Sequence, residues 1–372
     1  MRRISALALV LLTGLVAARL PHALARSHHR ITTFAVPGAG TGPDQGTIVN
    51  GITADGSVTG WYMDANDVNH GFVRSSNGTI TKFDVPGAGT GAGQGTVGLG
   101  MNDAGAITGR YDVSSDAFYG YVRSRDGHIT TFHAPGAGAG SFQGTAGGSI
   151  NPAGEISGVY VDATLARHGY VRTPNGNITE FDPPGQGTVT HQGVYTSTFY
   201  GLNPAGVVAA QYTDSSDAFH GFVRARNGAI TAFDAPGAGA SDSQGTFARG
   251  SSPSGAVTGY YVDGNNVSHG YVRAPNGAIT TFDARGAGTG DSQGTVPKSI
   301  NPSGAIAGFY TDANNANHAF LRASDGTFTT FDAPGAGTGD GQGTFALGNS
   351  PSGAITGSYV DANNVNHGFV RN

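Results

Sequence analysis

Two sets of side chains in this sequence are of types that do chemistry, and both recur at fixed intervals. The first is a histidine followed by an aspartate: His70/Asp84, His220/Asp234, His269/Asp283 and His318/Asp332. An aspartate that fixes a histidine tautomer is part of a nucleophile-activating triad. A triad, however, needs a nucleophile in one place, and here the pair is distributed along the chain. Copies of one unit encode packing more often than catalysis, so the pairs are read as strand-to-strand hydrogen bonds.

The second set is a group of Asp/Asn segments. Asp64, Asn66 and Asn69 recur as Asp312, Asn314 and Asn317, and again as Asp361, Asn363 and Asn366. These hard oxygen donors are what calcium prefers. Their D-x-N-x-x-N spacing is not the EF-hand order, and each loop supplies only one or two charges. Asx side chains also cap turns on their own backbone, which is the default reading. The nine residues, with Tyr195, are the expected ligand-binding positions. No cofactor is required, and calcium is a secondary expectation.

Gly-rich runs such as Gly335–Gly339 look like phosphate cradles, but such a cradle needs a helix directly after it. Here another extended segment follows, so nucleotide binding is excluded. The chain has no G-x-S-x-G elbow, no H-E-x-x-H helix and no paired-Glu site.

What positions these residues is a repeat. The motif I/F-T-x-F begins at Ile31, Ile80, Ile129, Ile178, Ile230, Ile279 and Phe328, at spacings of 49, 49, 49, 52, 49 and 49 residues. Each unit reads as four strands: A after Gln-Gly-Thr, B as G-A-I-T-G-x-Y, C as H-G-F/Y-V-R and D as I-T-x-F-D. Asn-Gly and Asp-Gly dipeptides separate C from D. A two-residue Asn77-Gly78 turn would set Gly71 opposite Asp84 and His70 opposite Val85. A unit of this length matches one four-stranded propeller blade. The chain opens on a D strand, Ile31–Phe34, and stops after a C strand, so pairing these would close the ring and hide both edges. The expectation is an all-β, seven-bladed β-propeller of four-stranded blades over residues 31–372. The A–B and C–D turns then share one face, and the Asp/Asn and Gly-rich loops share the other, where function is expected.

The first 25 residues read as a secretory signal: Arg2 and Arg3, an apolar run, then Ala23-Leu24-Ala25 as a cleavage site, with 26–30 as a linker. Cleavage removes Arg2, Arg3 and Arg19 and takes the formal charge from −5 to −8. A mildly acidic, Lys-poor surface argues against nucleic acid and anionic membranes. The absence of cysteine excludes disulfides and thiolate metal sites. A secreted or periplasmic, non-inserted monomer is expected.

The stretch I-N-x-x-G-x-I-x-G-x-Y…H-A-F-L at Ile300–Leu321 resembles the HAF-type extracellular repeat, its core here being His318-Ala319-Phe320. His-Gly-Phe or His-Gly-Tyr replaces that core at His70, His168, His220, His269 and His367. Blade two has Tyr119-Gly120-Tyr121 instead, and Arg stands where that family commonly has Trp. The resemblance implies export and a propeller-like fold, without a general activity. A shorter likeness, at Gly176–Phe181, is to virginiamycin B lyase-type propellers.

Blade four departs from its siblings, with a three-residue insertion near Val194–Tyr200 and the altered loop Pro183–Gly187. Two functions follow. One is a non-catalytic binding module for a surface polymer, glycan or protein, acting through the repeated loops. Against a glycan, those loops lack aromatic platforms, and Trp61 is the single tryptophan. The alternative is a hydrolase or lyase with one active site at the axial channel, using Glu180, His191 or Tyr195.

Overall fold

The computed structural model describes residues 30–196 and 201–372. The expected signal segment and part of the blade-four insertion lie outside these residues. The described chain is all-β, with 28 strands joined into one continuous sheet system and no helix.

The repeat explains the architecture. In blade one, strand A (Gly46–Ile52) pairs antiparallel with B (Val58–Met63), B pairs with C (Asn69–Arg74), and C pairs with D (Ile80–Phe83). The ring is carried by 21 strands, three per blade, rather than by blades of four equivalent strands. D is a four-residue strip paired only with C, because in most copies a proline three residues beyond its Phe cannot continue a ladder. The A strands neighbour one another around the inside of the ring.

Closure is direct. Ile31–Phe34 pairs antiparallel with the final C strand, Asn366–Arg371, in the register Ile31↔Arg371 through Phe34↔Gly368. Gly46 also bridges to Asn366, so the first and last blades meet as every other neighbouring pair does.

The C–D hairpins differ from the two-residue turn expected. Gly71 lies opposite Phe83, which sets His70 toward Asp84 rather than Val85. The loop runs from Ser75 to Thr79, closed by Gly78 N donating to Ser75 O and Ser75 N donating to Thr79 O, both at 2.8 Å. A primed turn would need positive φ at both Asn77 and Gly78. Only Gly78 has it (φ 94°), as in a type I turn completed by a glycine bulge.

Between blades, the Arg that ends each C strand lies over the Phe of the preceding D strand. Arg74/Phe34, Arg123/Phe83, Arg172/Phe132, Arg224/Phe181, Arg273/Phe233, Arg322/Phe282 and Arg371/Phe331 all stack at 4.6–4.9 Å. Partly desolvated cation–π contacts of this kind contribute roughly 0.5–2 kcal/mol each. They account for Arg at all seven positions. Under them, each blade buries a separate small core, such as Ile306, Tyr310 and Phe320 in blade six.

Candidate functional site

The expected functional face is built by the B–C loops and the D–A crossovers. Asp64 shows how one loop works: its Oδ1 accepts from Asn66 N (2.8 Å) and Val68 N (2.9 Å). Asp312 and Asp361 repeat this with Asn314 and Ala316, and with Asn363 and Val365. These are the Asx turns of the default reading. Burial is the largest single influence on the Asp64 carboxyl and raises its pKa, but the bonds from Val68, Asn66 and His70 together hold it low. Asn66, Asn314 and Asn363 are exposed. Asn69, Asn317 and Asn366 instead tie their side-chain amides to crossover carbonyls of Gly93, Gln342 and Asp44. Among the described residues no cluster of three or more His, Cys, Asp or Glu converges on a metal position.

The histidines join strands, as their spacing implied. His70 Nδ1 lies 2.9 Å from Asp84, and His168, His220, His269 and His318 meet Asp182, Asp234, Asp283 and Asp332 at 2.9–3.0 Å. Each ring also stacks on a B-strand tyrosine, for example Tyr310 on His318 at 5.1 Å. In blade two both partners are exchanged, with Tyr119 packed against His133 at 5.0 Å between centroids.

The loops are also linked to one another in a circle. The Gln that precedes each A strand donates to the left-handed residue of the next B–C loop. The pairs are Gln45–Asp67, Gln94–Asp116, Gln192–Asp217, Gln244–Asn266, Gln293–Asn315 and Gln342–Asn364, at 2.7–3.0 Å. That loop residue then accepts a backbone bond from the following crossover, and Asp44 N donates to Asn364 O (2.8 Å) to complete the round. Blade three breaks the pattern. Leu165 occupies the left-handed position (φ 68°), and Gln143 reaches Ala163 O instead.

The site lies where this regularity fails. A cavity of about 610 Å³ opens among blades two, three and four on the loop face. Its walls come from strands A to C of three blades: Arg110, Asp112 and Phe118; Ala146, Val159, Val161 and Arg167; Val194 and Tyr195. Phe142 and His191 form the rim, both held at positive φ (59° and 68°), which is rare for bulky residues. Phe142 N donates to Asp116 O (2.9 Å) and His191 N to Leu165 O (2.8 Å), so the crossover circle fixes them there. Phe142 is 70% exposed, and Val189, two residues before His191, is 59% exposed. Both belong to crossovers that border the cavity.

Polar groups converge on this apolar lining. Asp112 is only 8% exposed, and its Oδ2 has no hydrogen-bond partner. The nearest cation, Arg110 Nε, stands 3.7 Å away and lies partly over Phe118. Burial raises the Asp112 pKa, Arg110 opposes the shift and Asp116 adds to it. Across the cavity the Arg167 guanidinium stacks on Tyr195 at 4.2 Å, and Tyr195 OH donates to His191 O (2.6 Å). From Tyr195 an aromatic arc continues through Phe219 (5.3 Å), Phe247 (4.3 Å) and Tyr260 (4.6 Å).

Of the expected site residues, the cavity takes up Tyr195 alone; six of the nine Asp/Asn positions lie in loops spread around the face, and Asn69, Asn317 and Asn366 open C strands. Of the three candidate catalytic residues, His191 and Tyr195 line the cavity, and Glu180 does not. Glu180 sits on a D strand opposite Tyr170, its carboxylate accepting from Gly136 N at 2.8 Å. Arg110, Phe118, Phe142 and Arg167 escaped the sequence reading, and Asp112 entered it only as blade two's counterpart of the Asp/Asn loops. Their signal was available as variation at equivalent strand positions: Trp61, Arg110, Val159, Gln211, Tyr260, Phe309 and Ser358 share one B-strand position across the seven copies.

No protein-family model and no curated protein sequence matches the chain. Its fold is similar to solved propeller-type structures. The BP39L lectin from Burkholderia pseudomallei superposes with a TM-score of 0.51 at 12% identity, covering 87% of this chain and 94% of the lectin. A prolyl endopeptidase superposes at 0.50 and 12% identity, over 83% of this chain and 45% of the enzyme. The Aleuria aurantia lectin, bound to a methyl fucoside, gives 0.44 and 12%, with 83% and 97% covered. At such identity the likeness concerns the fold: a closed, propeller-like all-β ring.

Proposed function

We propose that the chain is an exported, non-catalytic carbohydrate-binding propeller whose sugar site is the cavity among blades two to four. The observation that carries this reading is Asp112 Oδ2, a buried acceptor that has Arg110 Nε at 3.7 Å but no hydrogen-bond partner, and that faces a cavity of ligand size. Leaving such a group unsatisfied costs roughly 1–3 kcal/mol, which a ligand hydroxyl would recover. Sugars also need apolar faces against their C–H surfaces, and Phe118, Phe142 and Tyr195 supply them. Two of these aromatic platforms, Phe118 and Tyr195, stand on strands, and the third, Phe142, belongs to a Gly-rich crossover, against the expectation that the loops lack them. The shared fold with a protein named as a lectin is consistent with this use.

Glycan-array binding followed by calorimetry tests it. Binding is expected, with loss of at least tenfold in affinity for Asp112→Ala and for Tyr195→Ala, while Asn314→Ala stays unchanged. The reverse pattern would move the site to the repeated loops, and absence of any glycan ligand would overturn the reading. The hydrolase or lyase reading is less favoured, because Glu180 does not line the cavity that holds His191 and Tyr195.

A further inference from the structure

Six of the seven inner strands carry a β-bulge, seen where the register with strand B skips one residue. The skipped residues are Asn50, Leu99, Gly148, Arg249, Lys298 and Leu347; the corresponding part of blade four lies outside the described residues. Bulges re-aim side chains and are frequent beside functional sites. Only two of these six residues are charged, they are both cations, and they occupy adjacent blades.

Their surroundings are built rather than incidental. Arg249 Nη2 donates to Tyr260 OH at 3.0 Å, and its guanidinium lies over Tyr260 and Phe247 at 5.3 and 5.7 Å. Lys298 Nζ lies 5.3 Å over the Phe309 ring, which packs edge-on against Phe345. The two strands touch: a Cβ on Gly250 would lie 3.0 Å from Ser299 Cα. Among the described residues no carboxylate pairs with Lys298, and no acceptor within hydrogen-bonding distance reaches its Nζ. Lys298 is half-buried on the inner strand; an ammonium partly withdrawn from water without a counter-charge is costly, and a second cation beside it adds to the cost.

We propose that Arg249 and Lys298 form an oxyanion-binding site on the inner wall of the ring between blades five and six, taking the carboxylate or phosphate group of a ligand that enters the axial channel. The aromatic floor of Phe247, Tyr260, Phe309 and Phe345 admits an organic body attached to that anion. Arg249 and Lys298 are not part of the lining of the cavity of blades two to four, although the aromatic arc from Tyr195 ends on the same Phe247 and Tyr260. Burial, and next the charge of Arg249, bring the Lys298 ammonium down to about 7. A bound oxyanion favours the charged form, so it must raise that value, and its affinity must increase as the pH falls through neutrality.

The chain has two lysines, Lys82 and Lys298, which makes the test direct. Lys82 is exposed, donates to Pro37 O and serves as internal control. In protein carrying isotope-labelled lysine, the two side-chain signals are followed by NMR against pH, with and without inorganic phosphate, and in parallel with glucuronate. The expected result is a Lys298 midpoint near neutrality that moves upward with at least one anion, while Lys82 does not move. Phosphate alone acting indicates a phosphate-bearing ligand; glucuronate acting indicates a carboxylate. Lys298→Met and Arg249→Gln should each weaken the anion's effect on thermal stability at least tenfold in concentration. A Lys298 signal that responds to neither anion, in protein folded by its spectrum, overturns the proposal.

Discussion

Phe34 stands opposite Gly368, and this contact joins the first strand of the ring to the last blade. A Cβ on Gly368 would lie 2.6 Å from Phe34 Cζ and 2.8 Å from Val49 Cγ2. Blade six shows how much of this crowding the fold tolerates. There Ala319 fills the equivalent place against Phe331 and is fully buried. The aromatic ring can therefore yield to one methyl group but has no room for a branched side chain. Gly368→Ala should cost under about 1 kcal/mol, and Gly368→Val about 1–3 kcal/mol, as overpacking does. Chemical denaturation of the two variants checks the ordering.

Closure by Ile31–Phe34 predicts the effect of removing it. A chain beginning after Phe34 leaves Gly368–Arg371 as an unpaired edge, a ready template for intermolecular pairing. Such a chain should melt at lower temperature than one beginning at Arg30, and light scattering should detect its association. Equal melting and scattering for the two would mean that the strand contributes nothing to closure.

The ring, its closure and the His–Asp pairs were legible in the sequence because the strand motifs recur in all seven copies and the His–Asp pair in five. A fourteen-residue spacing places His318 and Asp332 together whichever hairpin joins their strands. The exact register was not legible. Asn77-Gly78 suits both a primed two-residue turn and a type I turn with a glycine bulge, and only the observed φ values separate them. The cavity was hidden for the opposite reason. Arg110, Phe118 and Arg167 occupy positions where the repeats disagree, and a motif built from agreement discards those positions; Tyr195 was picked out only because blade four breaks the pattern. The Asp/Asn loops recur strongly because they hold neighbouring blades together.

The acid stability of the ring follows from those loops. Asp64, Asp162, Asp214, Asp263, Asp312 and Asp361 all titrate below the usual value. In each, burial opposes the shift, and hydrogen bonds from the loop backbone and the neighbouring side chains outweigh it. A carboxylate depressed in the folded state stabilises above its unfolded pKa of about 4, and that contribution disappears as the pH falls through the folded value. Unfolding free energy should therefore drop steadily below about pH 4. Asp312→Asn should be less stable near neutrality and show a shallower acid slope. A slope equal to that of the parent would remove Asp312 from this account.

The Gln–Asx circle should behave as a set of separate, additive clamps. Gln342 accepts from Gly339 N (3.0 Å) and donates to Asn364 (2.9 Å). Gln342→Ala is expected to cost roughly 1–3 kcal/mol for its two hydrogen bonds. Gln45→Ala removes an equivalent pair, to Gly42 N and Asp67, in the neighbouring blade. The contacts are local and the two glutamines share no partner, so the double variant should lose the sum of the two within about 0.5 kcal/mol. Marked non-additivity in denaturant melts would mean that the circle acts as one cooperative element.

Asp112 carries the opposite sign, and this sets the pH dependence of the proposed sugar site. Burial raises its pKa, so the ionised form is lost at a higher pH than for an ordinary aspartate. In stability terms, a raised carboxyl favours the folded state at low pH, and that contribution is lost as the pH rises through the folded value. For binding, the ionised carboxylate is the stronger hydroxyl acceptor. Affinity should therefore decline on acidification while the loop aspartates are still ionised and the ring is still folded. Calorimetry between about pH 7 and 4.5 covers that window. Asp112→Asn keeps the size and one acceptor oxygen, so it should bind more weakly at neutral pH, with an affinity that no longer changes over the same range. If the parent protein binds its glycan equally at both ends of the range, Asp112 does not act as an ionised acceptor, and Arg110 and Arg167 become the groups that orient the sugar.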